Sequence, residues 1–344
     1  MITTSTRFDT ENRFSWDSIT SRFEDDILIF RETTYDNGIY KFEKFDNGVR
    51  SIIEQVDDDD AVSWIEQTTH FEANGVIDFR ETTYDNGIYK FERFDNGVPL
   101  STAQRDNGDT ISWSQRHTEY DFDGVIEFRQ TAYDNGTFSI ERFESGVRSN
   151  TTQFDGDDAV SWAHQHTEYD ADGVFELRET AYDNDIVSIE RFENGVRSNT
   201  TQFDGADAVS WTRQHTEYDA DGVIELRETT YDNGIFRYEE FENGVRSSAT
   251  QYDNIDPSTG ETSEDGGAKT WAVQHTQYDL DGTIEFRETT FDNGIAKFEE
   301  FENGVRSSTT QYDNIDPSTG EASEDGGAKT WTCLLYTSPS PRDS

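Results

Sequence analysis

Runs of about eight residues rich in Thr, Tyr, Phe, Ile and Val alternate along the chain with short turns made of Asp, Asn and Gly. Within residues 170–207 the turns read Asp-Ala-Asp-Gly, Asp-Asn-Asp, Asn-Gly and Asp-Gly-Ala-Asp. Asn-Gly and Asp-Gly accept positive φ at little steric cost and favour tight hairpins. The pattern predicts an all-β chain with four antiparallel strands, or two hairpins, in each repeat.

Alternation within a run predicts which side chains share a face. In residues 174–182, alternation divides the side chains between two faces: Phe175, Leu177 and Ala181 on one, and Glu176, Arg178 and Thr180 on the other. We expect the apolar face to be buried and the charged face to be a solvated surface with ion pairs. Because each repeat has few apolar side chains, one repeat should be unstable alone and should need its neighbours to complete a core.

Tryptophan marks the repeat. The array is predicted to span residues 16–332, with units that start at Trp16, Trp64, Trp113, Trp162, Trp211 and Trp271. The spacing changes from 48 or 49 residues to 60 because of an insertion at 253–260 and again at 313–320. Residues 244–271 and 304–331 differ at two of 28 positions. Such similar neighbours indicate tandem duplication and a function that tolerates changes in copy number.

Two architectures fit six units of four strands. One is a six-bladed β-propeller, whose blades have a similar period. The other is a continuous meander of hairpins that forms an elongated, solenoid-like sheet. Polar strands such as 196–203 and the variable spacing favour the meander.

Both ends of the sequence depart from the array. Residues 6–16 align with residues 152–162, so residues 1–15 are predicted to be the end of a preceding, truncated repeat. Residues 333–344 break the repeat pattern, and 333–343 read like a translated sequencing adapter. We therefore expect 333–344 to be an artefact that includes Cys333 and leaves the repeats without cysteine.

Charge narrows the function classes. The chain has 28 basic and 73 acidic residues, a net charge of −45, which opposes binding to nucleic acid or to an anionic membrane surface. No apolar run is long enough to insert into a membrane. Aromatic residues make up 13% of the chain and recur with a strict period, which favours a folded array over disorder.

Paired aspartates are the candidate metal ligands. Four turns read Asp-x-Asp-Gly, which resembles the first half of a calcium loop because Ca²⁺ prefers six to eight oxygen ligands. The same motif also suits a simple hairpin turn in which Asp binds its own backbone. The candidate ligands are Asp121, Asp123, Asp170, Asp172, Asp219, Asp221, Asp279 and Asp281.

Other side chains recur once per repeat. His117, His166, His215 and His275 would form a ladder if the repeats stack in register, and otherwise they lie on a solvated strand face. The Trp and Tyr residues could provide a stacking platform for sugars, or each could pack against its copy in the next repeat. The sequence has no nucleophile elbow, zinc-ligand spacing, phosphate loop or nucleotide fingerprint, so we expect no enzymatic activity and no cofactor other than calcium.

The turns also carry a family resemblance. Tyr-Asp-Ala-Asp-Gly at 169–173 and Tyr-Asp-Asn-Gly at 231–234 are similar to the tyrosine-aspartate hairpin repeats of bacterial Rhs-type proteins. The whole unit resembles the acidic β-repeats of large secreted, calcium-associated (RTX-type) proteins. The resemblance implies a bacterial, extracellular or cell-surface location and a role for calcium.

Together these observations predict a non-catalytic spacer or adhesin array in a large secreted or surface protein. One alternative is the shell of a toxin-delivery protein, and another is a carbohydrate-binding β-propeller. The expected partners are surface glycans, other copies of the repeat and neighbouring domains of a longer chain, with neither nucleic acid nor an inserted membrane segment among them.

Overall fold

The computed structural model describes residues 1–11, 13–58, 61–108, 111–156, 161–205, 210–253, 271–291, 295–312 and 329–334. All secondary-structure elements in these ranges are β-strands, and all the pairs that they form are antiparallel between chain neighbours. The strands have six to nine residues, as the spacing of the turns predicts. Of the insertions at 253–260 and 313–320 that lengthen the spacing to 60 residues, only Asp253 lies within the described residues.

The chain divides into two units, Met1–Gly173 and Val174–Ser344. The first unit contains fourteen strands: β1 Ile2–Phe8, β2 Trp16–Glu24, β3 Ile27–Tyr35, β4 Ile39–Asp46, β5 Val49–Asp57, β6 Trp64–Phe71, β7 Ile77–Tyr84, β8 Ile88–Asp95, β9 Val98–Asp106, β10 Trp113–Tyr120, β11 Ile126–Tyr133, β12 Thr137–Glu144, β13 Val147–Asp155 and β14 Trp162–Tyr169.

The second unit contains twelve strands: β15 Phe175–Tyr182, β16 Ile186–Glu193, β17 Val196–Asp204, β18 Trp211–Tyr218, β19 Ile224–Tyr231, β20 Phe236–Glu242, β21 Val245–Tyr252, β22 Trp271–Tyr278, β23 Ile284–Phe291, β24 Ala296–Glu302, β25 Val305–Tyr312 and β26 Lys329–Leu334. Positions 333 and 334, which the sequence pattern assigns to an artefact, are part of β26, and residues 335–344 lie outside the described part of the chain.

Hydrogen-bonded ladders cross the boundaries between repeats. The last strand of one repeat, β5, pairs with the first strand of the next, β6, from Ile52 opposite His70 to Val56 opposite Glu66. The same junction recurs between β9 and β10 and between β17 and β18. A propeller needs separate blades, whereas here each described junction continues the sheet. The meander prediction is therefore confirmed, and the six-bladed propeller is wrong.

The face that is more deeply buried is polar. In the third repeat it carries Thr118, Thr131, Ser139, Glu141 and Thr151, which we call the threonine face. Its Thr and Ser side chains are between 2% and 9% exposed. Arg129 lies opposite both Thr118 and Glu141, and Glu141 lies opposite Thr151, so long side chains flank the short ones on neighbouring strands.

The expectation that the apolar face would be buried is wrong. In the second unit Thr180 is 3% exposed, whereas Leu177 and Ala181 on the opposite face are only half-buried. Buried apolar side chains among the described residues are few: Ile39, Trp113, Ile235, Ala249 and Ala296. Alternation also misplaced Phe175, whose ring centre lies 5.0 Å from the guanidinium of Arg178 on the other face. The burial of each face depends on side-chain length and pairing as well as on polarity.

The hairpin turns at one end of the strands pack against each other. Gly146 has φ +82°, and a Cβ built there would lie 3.0 Å from Cγ1 of Val125 in the preceding turn. Glycine-on-valine contacts of this kind recur between Gly75 and Gly282, with distances from the built Cβ to valine Cγ1 of 3.0 to 3.8 Å. Glycine is needed here both for the left-handed backbone and for the close approach. These contacts form a row along the turn end of each sheet, which we call the turn row.

Candidate functional site

A largely buried glutamate on the third strand of each repeat pairs with cations on its own or neighbouring strands. In the third repeat Glu141 receives Arg148 at 2.7 Å and Arg129 at 3.5 Å. The guanidinium of Arg129 lies 5.4 Å from the ring centre of Phe143, and that of Arg148 lies 5.6 Å from the ring centre of Tyr169 on the next repeat's first strand. We call this set the carboxylate cluster. It combines ion pairs with cation–π contacts.

The glutamate and its cationic partners recur in all six repeats. The ion pairs join three strands at Glu43, Glu141 and Glu190 and two strands at Glu92, Glu239 and Glu299. Burial alone would raise the pKa of Glu299, but hydrogen bonds and charge from Lys297 and Arg306 outweigh it and lower the pKa below the usual value. Arg178 also belongs to such a cluster, since it pairs across strands with Glu190 at 3.7 Å. The ion pairs expected on an exposed face are therefore partly buried and link strands.

The Asp-x-Asp-Gly turns use their first aspartate as a backbone acceptor. Asp219 Oδ1 accepts the N–H of Asp221 at 2.9 Å and that of Val223 at 2.8 Å. Asp121 and Asp279 do the same in their own turns, and Asp170 Oδ1 accepts the N–H of Asp172. This is the hairpin-turn geometry that the sequence also allows.

The second aspartates of these turns, Asp123, Asp172, Asp221 and Asp281, are exposed. Within the described residues, no group of three or more His, Cys, Asp or Glu side chains is arranged to hold a metal ion. The calcium assignment of the eight aspartates stays a prediction, and any such site would need oxygen ligands from outside a single turn.

Equivalent residues of successive repeats lie far apart. Because the repeats join edge to edge, copies are separated by four interstrand spacings, or about 19 Å. His166 bonds Thr152 through Nδ1 at 2.9 Å, and His215 bonds Thr201 in the same way at 2.7 Å. Trp113 lies opposite Tyr133 in its own repeat. Neither a histidine ladder nor stacking of tryptophan on its copy fits this spacing.

The opposite side of the sheet from the threonine face carries most of the ring pairs. In the third repeat this aromatic face includes His117, Phe128, Phe138, Ile140 and Phe154. Phe138 and Phe154 are 6.5 Å apart between ring centres, and Phe154 is 40% exposed. A groove of about 850 Å³ opens around Phe128 on this face.

The groove is lined by two cross-strand rows. One row runs from Glu119 through Phe128 and Arg142 to Asn150, and the next begins with His117 and Gln130. His117 Nε2 lies 3.1 Å from Glu119 Oε1, and the guanidinium carbon of Arg142 lies 5.9 Å from the Phe128 ring centre. Sequence reasoning missed both this groove and the carboxylate clusters. Their signal is the register of residues across strands, which one strand read alone does not show.

The fold and its recurring clusters define a tandem β-hairpin repeat protein. No protein-family model matches the chain, and no curated protein matches it either. No helix in the described ranges is long and apolar enough to cross a membrane.

Two solved structures are similar to parts of the chain at low identity. A TcdB2–TccC3–TEV crystal structure aligns with 88% of this chain at 10% identity and a TM-score of 0.20, and the chain spans about a fifth (21%) of its length. BamB from Moraxella catarrhalis aligns with 86% of this chain and 88% of its own at 8% identity and a TM-score of 0.12. Both scores lie well below 0.5.

Proposed function

We propose that the chain is a non-catalytic structural repeat region of a large secreted or cell-surface bacterial protein, where it serves as a spacer or adhesin array. The observation that carries this proposal is the junction between repeats. Its register is the same at the five junctions from β5–β6 to β21–β22, with the Thr151–Thr167 pair of the third junction repeated as Thr200–Thr216 in the fourth, and it differs at β25–β26, where Thr309 lies opposite Cys333. Each repeat therefore offers its neighbour the same edge, and added copies need no new contacts.

The location is supported by composition. A net charge of −45 keeps a long array soluble in saline surroundings, where salt screens its self-repulsion. The resemblance to RTX-type repeats suggests that calcium stiffens the array. The partners that we propose are surface glycans, further copies of the repeat and neighbouring domains of a longer chain. The resemblance to Rhs-type repeats adds the shell of a toxin-delivery protein as the competing role.

Deletion of whole and half repeats tests the array. Removal of residues 64–112 takes out β6 to β9 and brings β5 to β10, which has the same junction positions as β6. We expect this variant to fold, with an unchanged far-ultraviolet circular dichroism spectrum per residue. Removal of residues 64–87 is the matched control, because it places β5 beside a third strand and breaks a carboxylate cluster. Equal loss of structure in both variants would contradict the proposal.

Small-angle X-ray scattering separates a spacer from a shell. For a spacer, each whole repeat that is inserted should lengthen the maximum dimension by a constant increment. A dimension that stays constant as repeats are added would favour a shell and would overturn the spacer role.

A further inference from the structure

The groove in the third repeat differs from the corresponding surface of the other repeats. Gln130 on β11 replaces a glutamate that all five other repeats have at this position, namely Glu32, Glu81, Glu179, Glu228 and Glu288. The replacement removes a carboxylate beside Phe128 and supplies an amide with both donors and an acceptor. The third repeat therefore has an uncharged amide at a position where the other five repeats have a carboxylate.

The side chains around Phe128 are suited to hydroxyl groups. Gln130 and Asn150 offer amides, Arg142 offers a planar guanidinium and Glu119 offers a carboxylate, so paired donors and acceptors flank an aromatic ring. The row from Glu119 to Asn150 spans three interstrand spacings, or about 14 Å. A pyranose ring has one apolar face of C–H bonds and a rim of vicinal hydroxyls, which matches such a surface.

The other repeats lack this combination. In the second repeat His70 stacks on Phe79 at 4.0 Å and occupies the ring face. In the fifth repeat leucine replaces the ring at Leu226, and Glu240 replaces the arginine and already bonds Ser248 at 2.8 Å.

We propose that the groove around Phe128 binds a neutral oligosaccharide of hexopyranose units. One sugar face packs on the Phe128 ring, and the side chains of Gln130, Arg142 and Asn150 bond its hydroxyls. A neutral sugar is favoured over an anionic one because the groove holds Glu119, its rim carries two further carboxylates, and the chain has a net charge of −45. This site goes beyond the structural role and depends on neither the spacer nor the shell assignment.

Saturation-transfer difference NMR on the full chain tests the site with maltotetraose, cellotetraose and laminaritetraose as probes. We expect transfer to the ring protons of at least one probe. Phe128→Leu, Gln130→Glu and Arg142→Glu should each weaken that binding about tenfold or more, because each removes a ring or hydrogen-bonding contact or adds an unpaired charge. Each substitution copies a residue that another repeat already has at that position, so the fold should persist.

A matched control lies in the sixth repeat, where Phe286 is flanked by Glu288 and Glu300. Glu288→Gln combined with Glu300→Arg should leave binding at the third repeat intact and add a second, weaker site. No transfer to any of the three probes, or unchanged transfer in Phe128→Leu, would overturn the proposal. Transfer only to tetragalacturonate, an acidic sugar run in parallel, would overturn the assignment to neutral sugars.

Discussion

Glu239 and Glu240 are adjacent on β20 but face opposite sides of the sheet, so they allow a matched test of the carboxylate cluster. Glu239 is 3% exposed and receives Arg237 at 2.8 Å and Arg246 at 2.6 Å. Glu239→Gln keeps the side-chain shape but removes the charge that both cations face. Removal of one partner from a buried ion pair costs about 3–5 kcal/mol when the remaining charge stays buried. Because the Arg side chains are 21% and 35% exposed and can regain water, we expect a loss of about 2–3 kcal/mol.

Amide hydrogen exchange is the suitable assay because repeat arrays need not unfold in one step. Amides of β20 and β21 should exchange about 30- to 150-fold faster in Glu239→Gln, the equivalent of the predicted loss in opening free energy. Glu240→Gln is the control, since Glu240 is exposed, and its change should stay below about 0.5 kcal/mol. Equal exchange rates in the two variants would refute a stabilising role for the buried carboxylate.

Three further predictions concern pH, the turns and calcium. The pKa of Glu299 in the folded protein lies below its usual 4.5, so the ionised carboxylate stabilises the fold at neutral pH and this stabilisation is lost as the pH falls through the folded pKa. Hydrogen exchange of the β24 amides, measured across an acid titration, should show this loss. The Glu299→Gln variant should lack this pH dependence. Gly48→Ala should lower the free energy of unfolding by about 1 kcal/mol because of the positive φ at this position. Gly146→Ala should lower it by about 1 kcal/mol more, because the new Cβ would lie 3.0 Å from Val125, whereas a Cβ at Gly48 would have its nearest neighbour at 3.8 Å. Equal shifts of the urea midpoint in the two variants would contradict a role for the Gly146–Val125 contact. In calcium-free buffer, Asp219→Ala should lower the free energy of unfolding by about 1 kcal/mol, because it removes two hydrogen bonds to the backbone, whereas Asp221→Ala should change it little. If the turns bind calcium as predicted, millimolar calcium should raise the Tm of the unmodified chain, and an unchanged Tm would contradict that prediction.

The strands and turns were predictable because they depend on neighbours in the sequence. Asn47 and Gly48, for example, both have positive φ, as an Asn-Gly hairpin requires. The edge-to-edge junction was also inferred, from polar strands that suit no propeller core.

Burial and clustering were not predictable in the same way. The pattern of its own strand predicts that Arg178 is a surface residue. Its contact with Glu190 on the next strand depends on the register that the intervening turn sets. The groove around Phe128 needs residues from four strands together. The sequence shows that Gln130 departs from the glutamate of the other repeats, but only the pairing of strands shows that it lies beside Phe128 and Arg142 in one groove.

The pairing of each strand with its chain neighbour has a consequence for how the protein folds. Every described ladder closes a connection between consecutive strands, so few contacts within either unit need distant parts of the chain to meet. Low contact order of this kind speeds folding relative to β-proteins with long-range pairing. The strands of each unit can therefore be added one at a time as the polypeptide emerges from the ribosome, before the rest of the chain has been synthesised.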